Sequence, residues 1–173
     1  MIPKRIDDDL RQMWQTPDAL FQGLHSIFDF TVDAFAQAQD AKLPRYFSEA
    51  TYSQCDFERV WRGERVFANP PFQAMRYVFW MFSMAETSIV IAPLDTLATK
   101  YCHENPPRMV FLPSQKTVYQ APPGLQSRHT KCPTFVSVLL AFGKISQSQK
   151  SRVCDLPFYD SPLVPLNWNP QES

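Results

Sequence analysis

Residues 65–72 read Arg65-Val66-Phe67-Ala68-Asn69-Pro70-Pro71-Phe72. The first four follow a turn at Gly63 and form an apolar run of strand type. The prolines end that strand, because neither can donate to a sheet ladder and each holds the residue before it in extended backbone. The aromatic-rich residues 73–85 beyond them predict a helix. A strand that closes on a polar side chain and passes into a helix is the repeating unit of an α/β sheet. Such open sheets keep their ligands at the carboxyl ends of their strands. Asn69, Pro70, Pro71 and Phe72 are therefore the candidate reacting residues.

The chain on either side agrees with that unit. Thr16-Pro17-Asp18 predicts a helix start, with Thr16 as N-cap and Pro17 in the first helical position. Leu20, Phe21, Leu24, Ile27 and Phe28 then recur at helical spacing as a core-facing stripe. Phe30-Thr31-Val32-Asp33 reads as a short strand ending in an acid. Residues 34–41 are helix or loop, and Arg45-Tyr46-Phe47-Ser48 reads as a second short strand. Downstream, residues 88–92, 108–112 and 135–142 predict strands, with a short helix through 94–101. Tyr77, Phe79, Trp80 and Phe82 form an aromatic stripe expected to face the core. The alternation predicts an α/β sandwich with a mainly parallel sheet. Residues 1–13 read as a flexible lead-in, 14–152 as the folded body, and 153–173 as a Pro-rich tail that wraps the surface or moves.

Composition narrows the function. The 173 residues are 45% hydrophobic and 14% aromatic, which suits a packed domain. There are 14 Phe and only 4 Gly, so a glycine-rich phosphate loop is not expected. No apolar run has the length of a membrane span, and the polar, acidic start does not read as a signal peptide. Charge is zero overall but uneven. Residues 1–60 are acidic, 61–152 carry most of the Lys and Arg, and the remainder has only acids. A basic middle suits a polyanion such as DNA. The four cysteines have no CxxC spacing and read as free thiols in a reducing, cytoplasmic compartment. A zinc site drawn from Cys102, His103, His129 and Cys132 fits no standard ligand spacing, so no metal is expected.

The chemistry of an amide followed by two prolines and an aromatic is specific. An exocyclic amine on a nucleobase is a poor nucleophile, because its lone pair is delocalised into the ring. The side-chain oxygen of Asn69 can accept one of its N–H groups, and the Pro70 carbonyl the other. Two such acceptors favour a pyramidal nitrogen whose lone pair is available, and Phe72 offers a flat face for a flipped-out base. The sequence contains its own control. Asn105-Pro106-Pro107-Arg108 repeats the tripeptide, but it precedes a strand and lacks the aromatic, so it reads as a plain turn.

Trp14-Gln15-Thr16-Pro17 with Leu20-Phe21, Phe30-Thr31-Val32-Asp33-Ala34, Arg45-Tyr46-Phe47-Ser48, Trp61-Arg62-Gly63 and Asn69-Pro70-Pro71-Phe72 follow one another in an order and spacing that resembles the phage-type (Dam-like) DNA N6-adenine methyltransferase family. Cys132-Pro133-Thr134-Phe135 and the apolar run after it look like that family's last strand. The resemblance spans roughly residues 13–143. It implies a Rossmann-like methyltransferase sandwich, mainly parallel with an antiparallel C-terminal strand, S-adenosyl-L-methionine as cofactor and DNA as partner. It also implies that Gln15, Thr16, Pro17 and Asp33 border the cofactor and that Asp56 holds its adenine ring, where a helix-capping role for Asp56 is the alternative. Asp33 alternatively caps the turn after its strand, and Trp14 either packs on the first helix or stacks on the cofactor.

The long connection 113–134 contains Lys116, Arg128 and Lys131, the candidate DNA contacts. Two features keep rival readings open. Residues 34–41 (AFAQAQDA) hold no glycine where many methyltransferases have one, and Ser114-Gln115-Lys116-Thr117-Val118-Tyr119-Gln120 lacks the expected Gly-Arg pair. A methyltransferase-like domain that only binds nucleic acid is one rival. Methylation of another exocyclic amine, cytosine N4 or an RNA adenine, is the second.

Overall fold

In a computed structural model of the chain, the described residues are 14–48, 61–114 and 136–163. Side-chain alternation sets which face of the sheet each strand residue covers. On strand β3 (Arg65–Ala68), Val66 and Ala68 join one buried cluster and Phe67 the other. On β4 (Thr87–Pro93) every residue is buried, with Ile89 and Ile91 on the side of Phe67 and Val90 and Ala92 on the side of Val66 and Ala68. A strand buried on both faces must be central and covered by helices on each side, and this gives a three-layer α/β architecture.

The remaining strands are β1 (Val32–Ala34), β2 (Tyr46–Phe47), β5 (Met109–Pro113), β6 (Ser137–Gly143) and β7 (Tyr159–Leu163). The described residues form one seven-stranded sheet in the order β2-β1-β3-β4-β6-β5-β7. β1 pairs in parallel with both β2 and β3, and β3 pairs in parallel with β4. β6 runs antiparallel to β4 and β5, and β7 antiparallel to β5. Five strands thus share one direction and two oppose it. The sheet is α/β and mostly parallel, as the alternation of elements predicts.

Helix α1 (Asp18–Phe28) covers one face with Leu20, Phe21, Leu24, Ile27 and Phe28, the whole of the predicted stripe. Its start differs from expectation. Pro17 occupies the cap position and no side chain caps the helix. Thr16 lies one residue further out with its hydroxyl buried, so it cannot reach the first turn as an N-cap would. The other face is covered by α2 (Met75–Val78), a 3₁₀ turn over Phe79–Met84, another over Leu94–Ala98, and α3 (Lys100–Glu104). The expected aromatic helix is therefore one α-helical turn that tightens into 3₁₀. Its stripe splits as a result. Met75, Phe79 and Phe82 are buried, whereas Tyr77 and Trp80 are 61% and 41% exposed. The Arg76 guanidinium lies 4.4 Å over the Tyr77 ring.

Two elements lie beyond or between the predicted ones. Helix α4 (Gln147–Cys154) opens with a capping box between Ser146 and Gln149 and sends Val153 into the core under α1. Residues 153–163 do not wrap loosely. Tyr159 is 2% exposed, and its strand pairs with β5, so the sheet continues past residue 152. Burial of Tyr159 beside Leu156 and Phe158 supplies the apolar area that holds this segment down. Residues 1–13 and 164–173 lie outside the described residues. No helix among the described residues is long and apolar enough to cross a membrane.

Gly143 ends β6 at φ 76°, where a Cβ would lie 2.2 Å from the Glu86 carbonyl oxygen. Gly63 has nearly the same φ, 78°, with nothing within 4 Å. Gly63→Ala should therefore cost about 1 kcal/mol from backbone conformation alone, and Gly143→Ala roughly 2–4 kcal/mol, because backbone must move as well. Urea melts of the two variants check this. Equal losses would remove the close approach to Glu86 as the reason for glycine at position 143.

Candidate active site

The order β2-β1-β3 reverses direction at β1. From β1 the chain steps to one side to make β2, then returns across to make β3. The crevice at the carboxyl ends of β1 and β3 is therefore a topological switch point, the place where open α/β sheets bind ligands. The register levels the two strand ends, with Asp33 opposite Phe67 and Ala34 opposite Ala68. Asp33 and Asn69 consequently open onto the same edge.

A cleft of about 120 Å³ sits there, lined by residues that include Trp14, Gln15, Thr16, Asp33, Asn69 and Pro71. This is smaller than the roughly 300–1,000 Å³ of typical ligand pockets, so it can enclose one part of a nucleoside-sized ligand. Of the sequence-derived candidates, Gln15, Thr16, Asp33, Asn69 and Pro71 are brought together. Pro17, Pro70 and Phe72 adjoin the cleft in sequence but lie outside its lining. Asp56, Lys116, Arg128 and Lys131 lie outside the described residues, as do His129 and Cys132. The second NPP copy is elsewhere. Asn105 caps the end of α3 and leads into the amino end of β5, the sheet edge opposite the one that carries Asn69.

Asn69 is held from 55 residues away, because its side-chain Nδ2 donates to the Trp14 carbonyl at 3.0 Å. The following turn uses the carbonyls of Pro71 and Phe72, which accept from Ala74 and Met75. Among the described residues, no such bond ends on the Pro70 carbonyl. Trp14 itself both packs on the cluster under α1 and borders the cleft.

Asp33 is 3% exposed. It is the middle residue of β1 rather than its last, because Ala34 still pairs with Phe47 on one side and Ala68 on the other. Its carboxylate accepts the Lys42 backbone N–H at 2.7 Å and so closes the loop that leaves β1. Burial pushes the carboxyl up to about 7, and the charge of Asp40 acts in the same direction. The Lys42 hydrogen bond and charge oppose that rise. The Thr16 hydroxyl is buried without a hydrogen-bond partner. A buried hydroxyl left unmatched is costly, and Thr16 is one of the residues of this wall.

The cleft also holds residues that the sequence does not single out: Phe35, Ala36, Gln37, Asp40 and Lys42. All belong to the loop after β1 or its continuation. The one signal for them is that loop's position at the end of a strand before a crossover.

The chain matches the DNA N-6-adenine-methyltransferase (Dam) family over residues 4–112. It belongs to that family. No curated protein and no solved structure gives a significant match. Membership in the Dam family accords with the resemblance drawn from the motifs. The matched span contains both β1 and β3, with Asp33 and Asn69, and the Trp14-Gln15-Thr16 wall.

Asp33 links the cleft to stability. Between about pH 4 and 7 the folded chain keeps a proton on Asp33 that the unfolded chain releases, so its contribution to stability falls as pH rises through that window. Asp33→Asn retains an acceptor for Lys42 and carries no charge. The variant should exceed the parent in stability by about 4 kcal/mol at pH 8, with the gain shrinking toward pH 4. Urea denaturation across that range tests it, and a gain independent of pH would contradict the raised Asp33 titration.

Proposed function

We propose that this chain transfers a methyl group from S-adenosyl-L-methionine to N6 of adenine in DNA, at the cleft between β1 and β3. The observation that carries the reading is the meeting of the Asn69 amide and the Asp33 carboxyl in one crevice at the switch point, in a chain of the Dam family. The strand order, with five strands aligned and β6 reversed beside β4, supports a Rossmann-like methyltransferase sandwich.

The residues present fit the cofactor. Gln15 and Thr16 form one wall and offer an unmatched buried hydroxyl, while Asp33 offers a carboxylate suited to a cationic amino group or sulfonium. Pro17 fixes the path of that wall into α1, and Asp56 is proposed for the cofactor's adenine ring. When bound, S-adenosylmethionine supplies an activated methyl group.

The work of the chain's own residues is orientation. Asn69 accepts one N–H of the target amine through its side-chain oxygen, and Pro70 accepts the second through its carbonyl. Pro71 holds the segment extended before the helical turn begins, and Phe72 stacks on the base. No fixed general base is required, because the proton can leave once the methylated amine is cationic.

Incubation with unmethylated DNA and labelled cofactor, followed by nucleoside analysis, tests the reaction. N6-methyladenine is expected. Methylcytosine alone would redirect the chemistry to another amine, and calorimetric cofactor binding with no methylated base would mark a degenerate domain. Asn69→Ala should lower the rate by roughly 10²–10³-fold with the fold intact, since one placed acceptor is removed. Retention of the parent rate would remove Asn69 from the chemistry.

Lys116, Arg128 and Lys131 are proposed to bind phosphates. Replacing all three with Ala should flatten the slope of log affinity against log salt by roughly 0.9 for each phosphate no longer neutralised. An unchanged slope in a salt series on one duplex would place the DNA surface on other residues.

A further inference from the structure

A carboxamide has two unlike ends, and rotating it by half a turn exchanges a donor for an acceptor. At position 69 one end faces the Trp14 carbonyl oxygen, 3.0 Å away. That oxygen only accepts. Were the amide reversed, two oxygens would meet at hydrogen-bonding distance with no proton between them. The Trp14 carbonyl is itself well fixed. Its side chain packs against the cluster under α1, Gln15 and Thr16 continue as the cleft wall, and Thr16 is buried.

We propose that the Trp14 backbone carbonyl is the positioning group that turns the Asn69 oxygen toward the incoming amine, and that position 69 in this chain is thereby restricted to an amide. The inference rests on the amine-methylation reading for its catalytic meaning. A carboxylate would serve the amine itself as well as an amide does, since either presents an acceptor oxygen. Here, however, its second oxygen would be set against the Trp14 carbonyl. Only the protonated acid meets both needs, with its O–H donating to Trp14 and its carbonyl accepting from the amine. Trp14 thus acts through Asn69 and touches no reacting atom.

Asn69→Asp turns this into a measurable titration. The titratable groups lining the same cleft are Asp33, Asp40 and Lys42; Asp40 raises the new carboxyl's midpoint, Lys42 lowers it, and Asp33 adds to the rise only as it ionises near about 7. Carbon-13 detection of that carboxyl, repeated in an Asp33→Asn background to remove the other titrating carboxyl of the strand ends, should give a midpoint about 2 pH units or more above the ordinary value of roughly 3.9. Methyl transfer by the variant should fall about tenfold for each pH unit above that midpoint, relative to the parent chain.

In the parent chain, one of the two Asn69 side-chain amide protons should exchange with solvent more slowly than the other, which is a direct readout should the variant fail to fold. A midpoint near 4, an activity ratio that does not change with pH, or equal and rapid exchange of both amide protons would each overturn the proposal. A parent chain that transfers no methyl group while the titration and exchange behave as stated would instead sink the functional reading and leave the positioning contact standing.

Discussion

The parallel pairing of β1 with β3 is the contact on which the rest of the site depends. Only three residue pairs make it, Val32–Val66, Asp33–Phe67 and Ala34–Ala68. Side chains alternate along a strand, so a slip of one residue would bring Asp33 into the dry cluster and turn Phe67 toward the opposite layer. The register is fixed from both sides. Phe67 is gripped edge-on by Phe21 from α1 at 5.1 Å and packs near Phe30. At the amino end, the Thr31 hydroxyl joins Glu64 at 2.5 Å, and Arg65 bonds the carbonyl and carboxylate of Asp29. These polar clamps are partly exposed and worth little one by one. They act on the same few residues that the aromatic packing already orders, and so add to it.

Much of the fold is legible in the sequence because its cues are local. The α1 stripe, the Gly63 turn and β3 follow from spacing and from proline placement, and the two NPP copies differ as their flanks predict, the first following a strand and the second preceding one. The elements that escape are those whose signal is tertiary or composed of polar residues. Helix α4 has almost no apolar stripe; Val153 alone is buried. Its one local cue is the Ser146–Gln149 capping box, a pattern of serine and glutamine that is easily passed over in a polar stretch. β7 carries a proline and depends on β5 for its existence, so its own residues do not announce it. The aromatic segment after Phe72 reads as one helix because periodicity does not distinguish an α-turn from the 3₁₀ turn that succeeds it. That distinction decides the outward placement of Tyr77 and Trp80.

The candidate site is legible in its strand ends and less so in its loop. Asn69 and Asp33 stand out as polar side chains closing apolar runs. Phe35, Gln37 and Lys42 do not, because their place in the cleft comes from the path of the loop and not from any motif. Thr16 shows the same limit. Beside Pro17 it has the pattern of an N-cap, yet the hydroxyl is turned into the cleft wall, where local preference gives way to the tertiary position of the helix start.

That loop also shows how a chain with few glycines builds a turn at positive φ without one. Phe35 leaves β1 at φ 72°, in a region that bulky residues rarely occupy. The strain is on the order of 1–3 kcal/mol. Two features offset it. The Phe47 carbonyl accepts both the Phe35 and Ala36 N–H groups at 3.0 Å, which locks the backbone against its strained residue. The Phe35 ring stands edge-on to Trp61 and to Phe82, each a buried member of the cluster on that face. A glycine would adopt the same backbone without strain but would leave those rings without their neighbour. At Phe35, aromatic packing thus holds the cleft loop in a conformation that a glycine would otherwise have to permit, and it does so at a residue that lines the cleft itself.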